Sequence, residues 1–168
     1  MTEVPLPDIH YLSAAVGWLE LGNPSEAGEE IARISPELLG HPEVLEVRWQ
    51  VCAAGQRWDP ALEVAELLMQ KAPDRPSAWL HRAYAMRRAK NGSLEKAWDA
   101  LFPAAALFPK EALIPYNLAC YATQLGRINE GWDLVQKAID ACGDGATIKK
   151  MALADKDLEP LRARLEGK

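Results

Sequence analysis

Four short polar breaks set the frame of this chain: LGNPSEA at 21–27, GQRWDPA at 55–61, KNGSLEKA at 90–97 and LGRINEG at 125–131. Each contains a glycine, separates two runs of helical character and ends on a small residue, Ala27, Ala61, Ala97 or Gly131. The intervals between those four positions are 34, 36 and 34 residues. A fixed period of this length is the mark of a helical repeat array, in which no unit buries its apolar face alone and neighbours share one core. The middle interval is longer because RRAKNGS adds two residues to its turn.

Between the breaks, apolar residues recur at steps of three and four from Ile9 to Leu165, and strand signals are almost absent, so the chain reads as all-α. Ser25, Asp59 and Ser93 are the expected N-caps, since a side-chain oxygen there can accept from the orphan N–H groups of the next turn. Pro60 is expected at a first helical position, where its missing donor is harmless. KAPDRP after Met69 and LFPKE after Ala106 supply the stops, because proline neither continues a helix nor leaves its predecessor helical. One unit is therefore helix, short turn, helix and proline-marked break.

Hydrophobic residues make up 49% of the 168 and charged residues 26%, the balance of a folded domain with a continuous core. The net charge of -5 and pI near 5.3 exclude general affinity for nucleic acid or anionic membrane, which needs a concentrated basic surface. No secretory signal is visible in MTEVPLPDIHYL, and no 18-residue apolar run exists. Cys52, Cys120 and Cys142 are odd in number, far apart and set in apolar patterns, which reads as buried free thiols in a reducing compartment, the cytoplasm by default.

Catalytic and metal constellations are missing from the sequence. His10, His41 and His81 stand 31 and 40 residues apart, without any compact metal-ligand spacing. No phosphate-cradling loop or nucleophile elbow occurs, so neither cofactor nor metal is expected and the chain reads as a binding protein rather than an enzyme. ADKDLEP places Asp155, Asp157 and Glu159 at alternate positions but lacks the glycine and distal glutamate of a calcium loop. Asp157 as an N-cap, with Glu159 and Pro160 in the first turn, is the expected arrangement. The six tryptophans are expected to serve packing.

The spacing and residue choice resemble the tetratricopeptide repeat (TPR) family. Tyr11, Ala15 and Trp18 precede Ala27, Ile31 and Ile34 in the first unit, and Leu45, Trp49 and Cys52 precede Ala61, Ala65 and Leu68 in a degenerate second. Trp79, Ala83 and Met86 precede Ala97, Leu101, Ala104 and Pro109 in the third; Leu118, Ala119 and Ala122 precede Gly131, Val135 and Ala138 in the fourth. The resemblance implies a single domain over 1–168, a right-handed superhelical α-solenoid of four helix-turn-helix units near 8–41, 42–75, 76–111 and 112–145. A capping segment at 146–168 follows, in which Leu158, Leu161 and Leu165 face inward. Gly131 would mark the fourth helix crossing, where leucine is expected to destabilise and alanine to be tolerated.

In this family the first helix of each unit lines a concave groove. The resemblance therefore directs Leu12, Val16 and Glu20, then Glu43, Glu46 and Gln50, then Leu80, Tyr84, Arg87 and Arg88, then Tyr116, Cys120, Thr123 and Gln124 inward, with His81 and Asn117 at the edge. Tyr84, Arg87 and Arg88 share one helix face, and Arg75 and Arg82 are near in sequence. Arginine offers a planar fork to a carboxylate or phosphate, and tyrosine a stacking face with a polar tip. The clamp of the family's chaperone-tail-binding subgroup is not met, because Leu12, Val16 and Val47 stand where it needs Lys or Asn. The expected function is a protein-interaction scaffold that binds a peptide or partner protein through Gln50, Leu80, His81, Tyr84, Arg87, Arg88, Tyr116, Asn117 and Gln124. The alternatives are a homo-oligomeric assembly module joined through the apolar first repeat, Leu12, Val16 and Leu19, or a secretion-type chaperone.

Overall fold

The computed structural model describes residues 3–167, and among them every regular element is helical. The chain packs as two compact units that divide between Asn91 and Gly92, inside the third polar break.

The N-terminal unit holds α1 (Asp8–Glu20), α2 (Pro24–Ala32), α3 (Pro42–Ala54), α4 (Trp58–Lys71) and α5 (Pro76–Arg88). Helices α1 and α2 form one antiparallel hairpin and α3 and α4 the next, α3 packs on α2, and α5 packs on α4. Proline opens α2, α3 and α5 at the position where a missing N–H costs nothing. The caps differ from expectation. Asn23, not Ser25, caps α2, accepting from Glu26 N at 3.3 Å, because Pro24 already occupies the first helical position. Helix α4 begins at Trp58, which moves Pro60 to its third position and takes Asp59 inside the helix. Asp59 Oδ1 instead accepts from the backbone N–H of Lys90 at 2.9 Å and ties the start of α4 to the end of α5.

The 34-residue period appears in the backbone itself. Gly22, Gln56 and Gly126, which follow α1, α3 and the later helix Leu113–Gln124, share a left-handed φ of 74, 53 and 78°. In each case the next residue donates to a carbonyl five positions back: Asn23 to Trp18, Arg57 to Cys52, Arg127 to Ala122. This closure of the helix C-terminus satisfies an orphan carbonyl and suits glycine, which carries no Cβ penalty there. Gln56 bears that penalty, and it stands 34 residues after Gly22, which fixes the degenerate second unit in the expected phase. Helix α5 leaves differently, through an extended Ala89, and here lies the turn with two extra residues.

Two apolar clusters fill this unit. Leu12, Ala15, Ala27, Ile31, Val44, Val47 and Val51 join the first hairpin to α3. Leu45, Trp49, Cys52, Ala61, Ala65 and Leu68 form the second, where the large Trp49 is accommodated by the small Ala78 and Ala85 of α5. Buried Asp8 closes the first hairpin by accepting from Ser35 N at 2.5 Å and Ser35 Oγ at 3.1 Å.

The C-terminal unit holds α6 (Leu94–Leu101), α7 (Ala104–Leu107), α8 (Leu113–Gln124), α9 (Ile128–Ala141), α10 (Gly145–Ala154), a 3-10 turn over Lys156–Leu161 and α11 (Arg162–Leu165). Ser93 caps α6 as expected, accepting from Lys96 N at 3.1 Å. Pro103 interrupts α6, having no N–H to continue its ladder, and α7 follows as a single turn. Helices α8 and α9 form the hairpin that buries Gly131, and α10 packs on α9. The chain then turns at Asp155 and returns across α8. Leu158, Leu161 and Leu165 are buried, as expected of a cap, with Glu159, Arg162 and Arg164 exposed. The capping side chain is Asp155, not Asp157: its Oδ1 accepts from Asp157 N at 2.9 Å. None of the three cysteines forms a disulfide, Cys52 and Cys120 being buried and Cys142 only half-buried at the end of α9. Among the described residues no helix is long and apolar enough to cross a membrane.

Candidate interaction surfaces

On the N-terminal unit, α3 and α5 present side chains one repeat apart to each other. Glu46 of α3 accepts from Ser77 Oγ at 2.5 Å and meets His81 Nε2 at 2.7 Å, both on α5, with Arg75 Nη1 4.0 Å away. One turn along, the Trp49 indole stacks on the His81 ring at 3.8 Å and 6°. Tyr84 then stands edge-on to Trp49 at 6.0 Å and tilted against Trp58 at 5.7 Å. The Arg88 guanidinium lies 3.6 Å above the Tyr84 ring and 5.3 Å from Trp58, and its Nη1 donates to the Tyr84 carbonyl at 3.1 Å. Ser77, His81, Tyr84 and Arg88 fall on one side of α5 because their offsets of four, three and four follow the helical turn.

These contacts sort the expected residues. His81, expected at a groove edge, is an internal bridge: one ring face is on Trp49 and a nitrogen is on Glu46. Gln50 is exposed, Leu80 and Arg87 are half-buried, and Arg87 is engaged within the chain. Tyr84 retains 36% of its surface and, with Arg88, forms the outward part of the cluster. Burial alone would raise the Glu46 carboxyl, but the hydrogen bonds from His81 and Ser77 and the charges of His81 and Arg75 outweigh it and hold the group below its ordinary value.

On the C-terminal unit the expected groove face of α8 is occupied by the chain itself. Tyr116 is buried, and its hydroxyl donates to Asp155 Oδ2 at 2.9 Å. Cys120 Sγ approaches the same oxygen at 3.6 Å, and Gln124 Nε2 donates to the Asp157 carbonyl at 2.9 Å. Asn117 donates to Leu113 O of its own helix at 2.8 Å. Tyr116 and Gln124 therefore hold the closing segment, Tyr116 from a buried position and Gln124 from an exposed one. Burial first, and then the hydrogen bond to Asp155 and the nearby negative charges, push the Tyr116 hydroxyl well above its ordinary pKa.

The ligand atoms of Cys120, Asp155 and Asp157 converge within 4.8 Å, the one such grouping among the described residues. Asp155 already accepts from the Tyr116 hydroxyl, the Cys120 thiol and the Asp157 N–H, so its two oxygens are used as a cap. Burial pushes the Cys52 thiol up, which suits an inert packing residue.

No protein-family model matches the sequence, and no curated protein matches it either. Solved structures do. TTC0263, a thermophilic TPR protein of Thermus thermophilus, superposes with a TM-score of 0.69 at 19% identity, covering 95% of this chain and 97% of its own. A double mutant of MamA RS-1 gives 0.68 at 17% identity, covering 80% and 75%, and MamA AMB-1 gives 0.63 at 14% identity, covering 95% and 88%. At these identities the likeness is one of fold. It is the fold that the 34-residue spacing implies: paired helices stacked in the tetratricopeptide manner.

Proposed function

We propose that the chain is a protein-interaction scaffold that holds a partner segment carrying a carboxylate against the α3–α5 face of its N-terminal unit. The observation that supports this reading is the Tyr84–Arg88 pair. A guanidinium fixed 3.6 Å above an aromatic ring, itself braced by Trp49 and Trp58, is a cation already placed before any partner arrives. Holding the arginine beforehand removes part of the side-chain entropy that binding would otherwise cost. The planar fork suits a carboxylate, exposed Gln50 can meet extended backbone, and half-buried Leu80 and Arg87 flank the cluster.

The test is selection of peptides from a displayed library on the full chain, followed by affinity measurement on Tyr84→Ala with Arg88→Ala. Selected peptides should share an Asp, a Glu or a C-terminal carboxylate, and the double variant should bind about thirtyfold more weakly, the ~2 kcal/mol of a hot-spot pair. Equal affinity in the double variant, with its melting temperature unchanged, would remove the surface from consideration.

A second reading has its own observation. Leu12, Val16 and Leu19, the residues expected to join copies, lie in or against the core, but α1 also carries Ala14, Gly17 and Trp18 and ends on Leu21, which is 76% exposed. Such a face suits packing against another copy of the chain.

A further inference from the structure

The C-terminal unit contains a cleft of about 600 Å³ that belongs to neither surface described above. Three elements line it at helical spacing. One wall is Phe102, Ala105 and Ala106 of the α6–α7 segment, and the opposite wall is Leu134, Lys137 and Ala141 of α9. Pro115 and Leu118 of α8 form the floor. Offsets of three, four and seven put each set on one side of its segment, so three segments border one empty space with mostly apolar side chains, above a fully buried Leu118. Phe102 is 55% exposed and Leu107, on the same segment, 59%.

Pro103 shapes the first wall. Beyond it the backbone continues with shorter-range bonds, Ala105 N to Phe102 O at 3.2 Å and Ala106 N to Pro103 O at 3.3 Å, while Phe102 and Pro103 keep right-handed helical angles, so Phe102, Ala105 and Ala106 stay on one side of the segment. The corresponding depressions of the N-terminal unit, between α2 and α4 over α3, are lined by Glu29, Arg48, Arg57 and Glu63 among others. Charged walls are stable in water without a cover. The C-terminal cleft is lined by a larger share of apolar residues than these two depressions.

We infer that this cleft is a docking groove for an amphipathic helix of a partner protein. Its helical walls fit an occupant that inserts apolar anchors at i, i+3 or i+4, and i+7. Lys137 and Asp140, three residues apart on α9 and opposite in charge, stand at the groove. The occupant complementary to them carries an acidic side chain beside Lys137 and a basic one beside Asp140, which also sets its direction.

The experiment is a selection against the full chain from a displayed library of helical peptides about 15 residues long, the length at which isolated helix becomes tenable. Enriched peptides should share the apolar spacing with one flanking acid–base pair. Ala106→Glu, at an exposed position on the wall, should weaken them ~tenfold or more, about 1.4 kcal/mol. Lys137→Glu should convert the selected acid to a base. Unchanged melting temperatures keep these readings interpretable, and Phe102→Asp, also at an exposed position, replaces Ala106→Glu if that variant unfolds. The proposal is overturned if no helical peptide is enriched, or if enriched peptides bind the variants as well as the wild type. It is equally overturned if sedimentation shows a wild-type dimer that Ala106→Glu dissociates, which would make a second copy the occupant.

Discussion

A methyl group at position 131 would press on Thr123 Oγ1, closer than an ordinary Cβ contact, and would lie 3.3 Å from the carbonyl oxygen of Ala119. Both partners belong to α8, so the glycine marks where α9 crosses it. Alanine fills the corresponding positions 27, 61 and 97, each fully buried. The geometry reverses the expectation that Gly131→Ala would be tolerated. Helix propensity favours alanine by about 1 kcal/mol, but overpacking costs about 1–3 kcal/mol, and Thr123 is buried at the crossing. Gly131→Ala should therefore lower stability in urea denaturation, while the same change made in a Thr123→Ala background should be neutral or favourable. Additive effects of the two substitutions would refute the contact. The period reveals that position 131 must be small; it does not reveal why glycine, because Thr123 lies eight residues earlier on the other helix and its distance depends on the crossing.

At the scale of helices, the cap of α2 departs from expectation for a local reason. Asn23-Pro24 offers a cap followed by a first-position proline, a stronger start signal than Ser25, and the structure uses it. Asn23→Ala should cost about 1 kcal/mol of unfolding free energy and Ser25→Ala only a few tenths, as measured by chemical denaturation. A larger loss at Ser25 would return the cap to it. The bond between α3 and α5 makes a pH prediction. Because Glu46 titrates below its ordinary value of 4.5 in the folded chain, its stabilisation is complete above that pH and is lost as pH falls through the lower folded value. The melting-temperature gap between wild type and Glu46→Gln should hold near pH 6 and close as pH falls below 4.5. A gap independent of pH would mean that the carboxylate's charge contributes nothing. Glu46 and His81 are 35 residues apart, as are Trp49 and Tyr84, so neighbours on successive first helices sit one period plus one residue apart. That offset was open to a reader of the sequence. The choice of His81 as a bridge was not, since stacking on Trp49 required the relative rotation of α3 and α5.

For the molecule as a whole, an assembly of copies through α1 would show itself in light scattering across a dilution series. Leu21→Glu should then shift the apparent mass toward one chain, whereas a mass unchanged by dilution or substitution would dismiss self-association. The helical class, the phase of the repeats and the apolar side of the closing segment were all legible, because each repeats or alternates within the sequence. The return of residues 155–161 across α8 was not, for it depends on a turn at Asp155 that no periodicity announces. That turn also bears on how the chain could lengthen. Helix α10 packs on α9 as α5 packs on α4, but the chain that leaves it doubles back to cover α8 with Leu158 and Leu161. A duplicated repeat inserted after Ala154 would have to displace this cover, whereas one inserted ahead of Gly145 would inherit it intact, so gene duplication in such a chain has one permissive end.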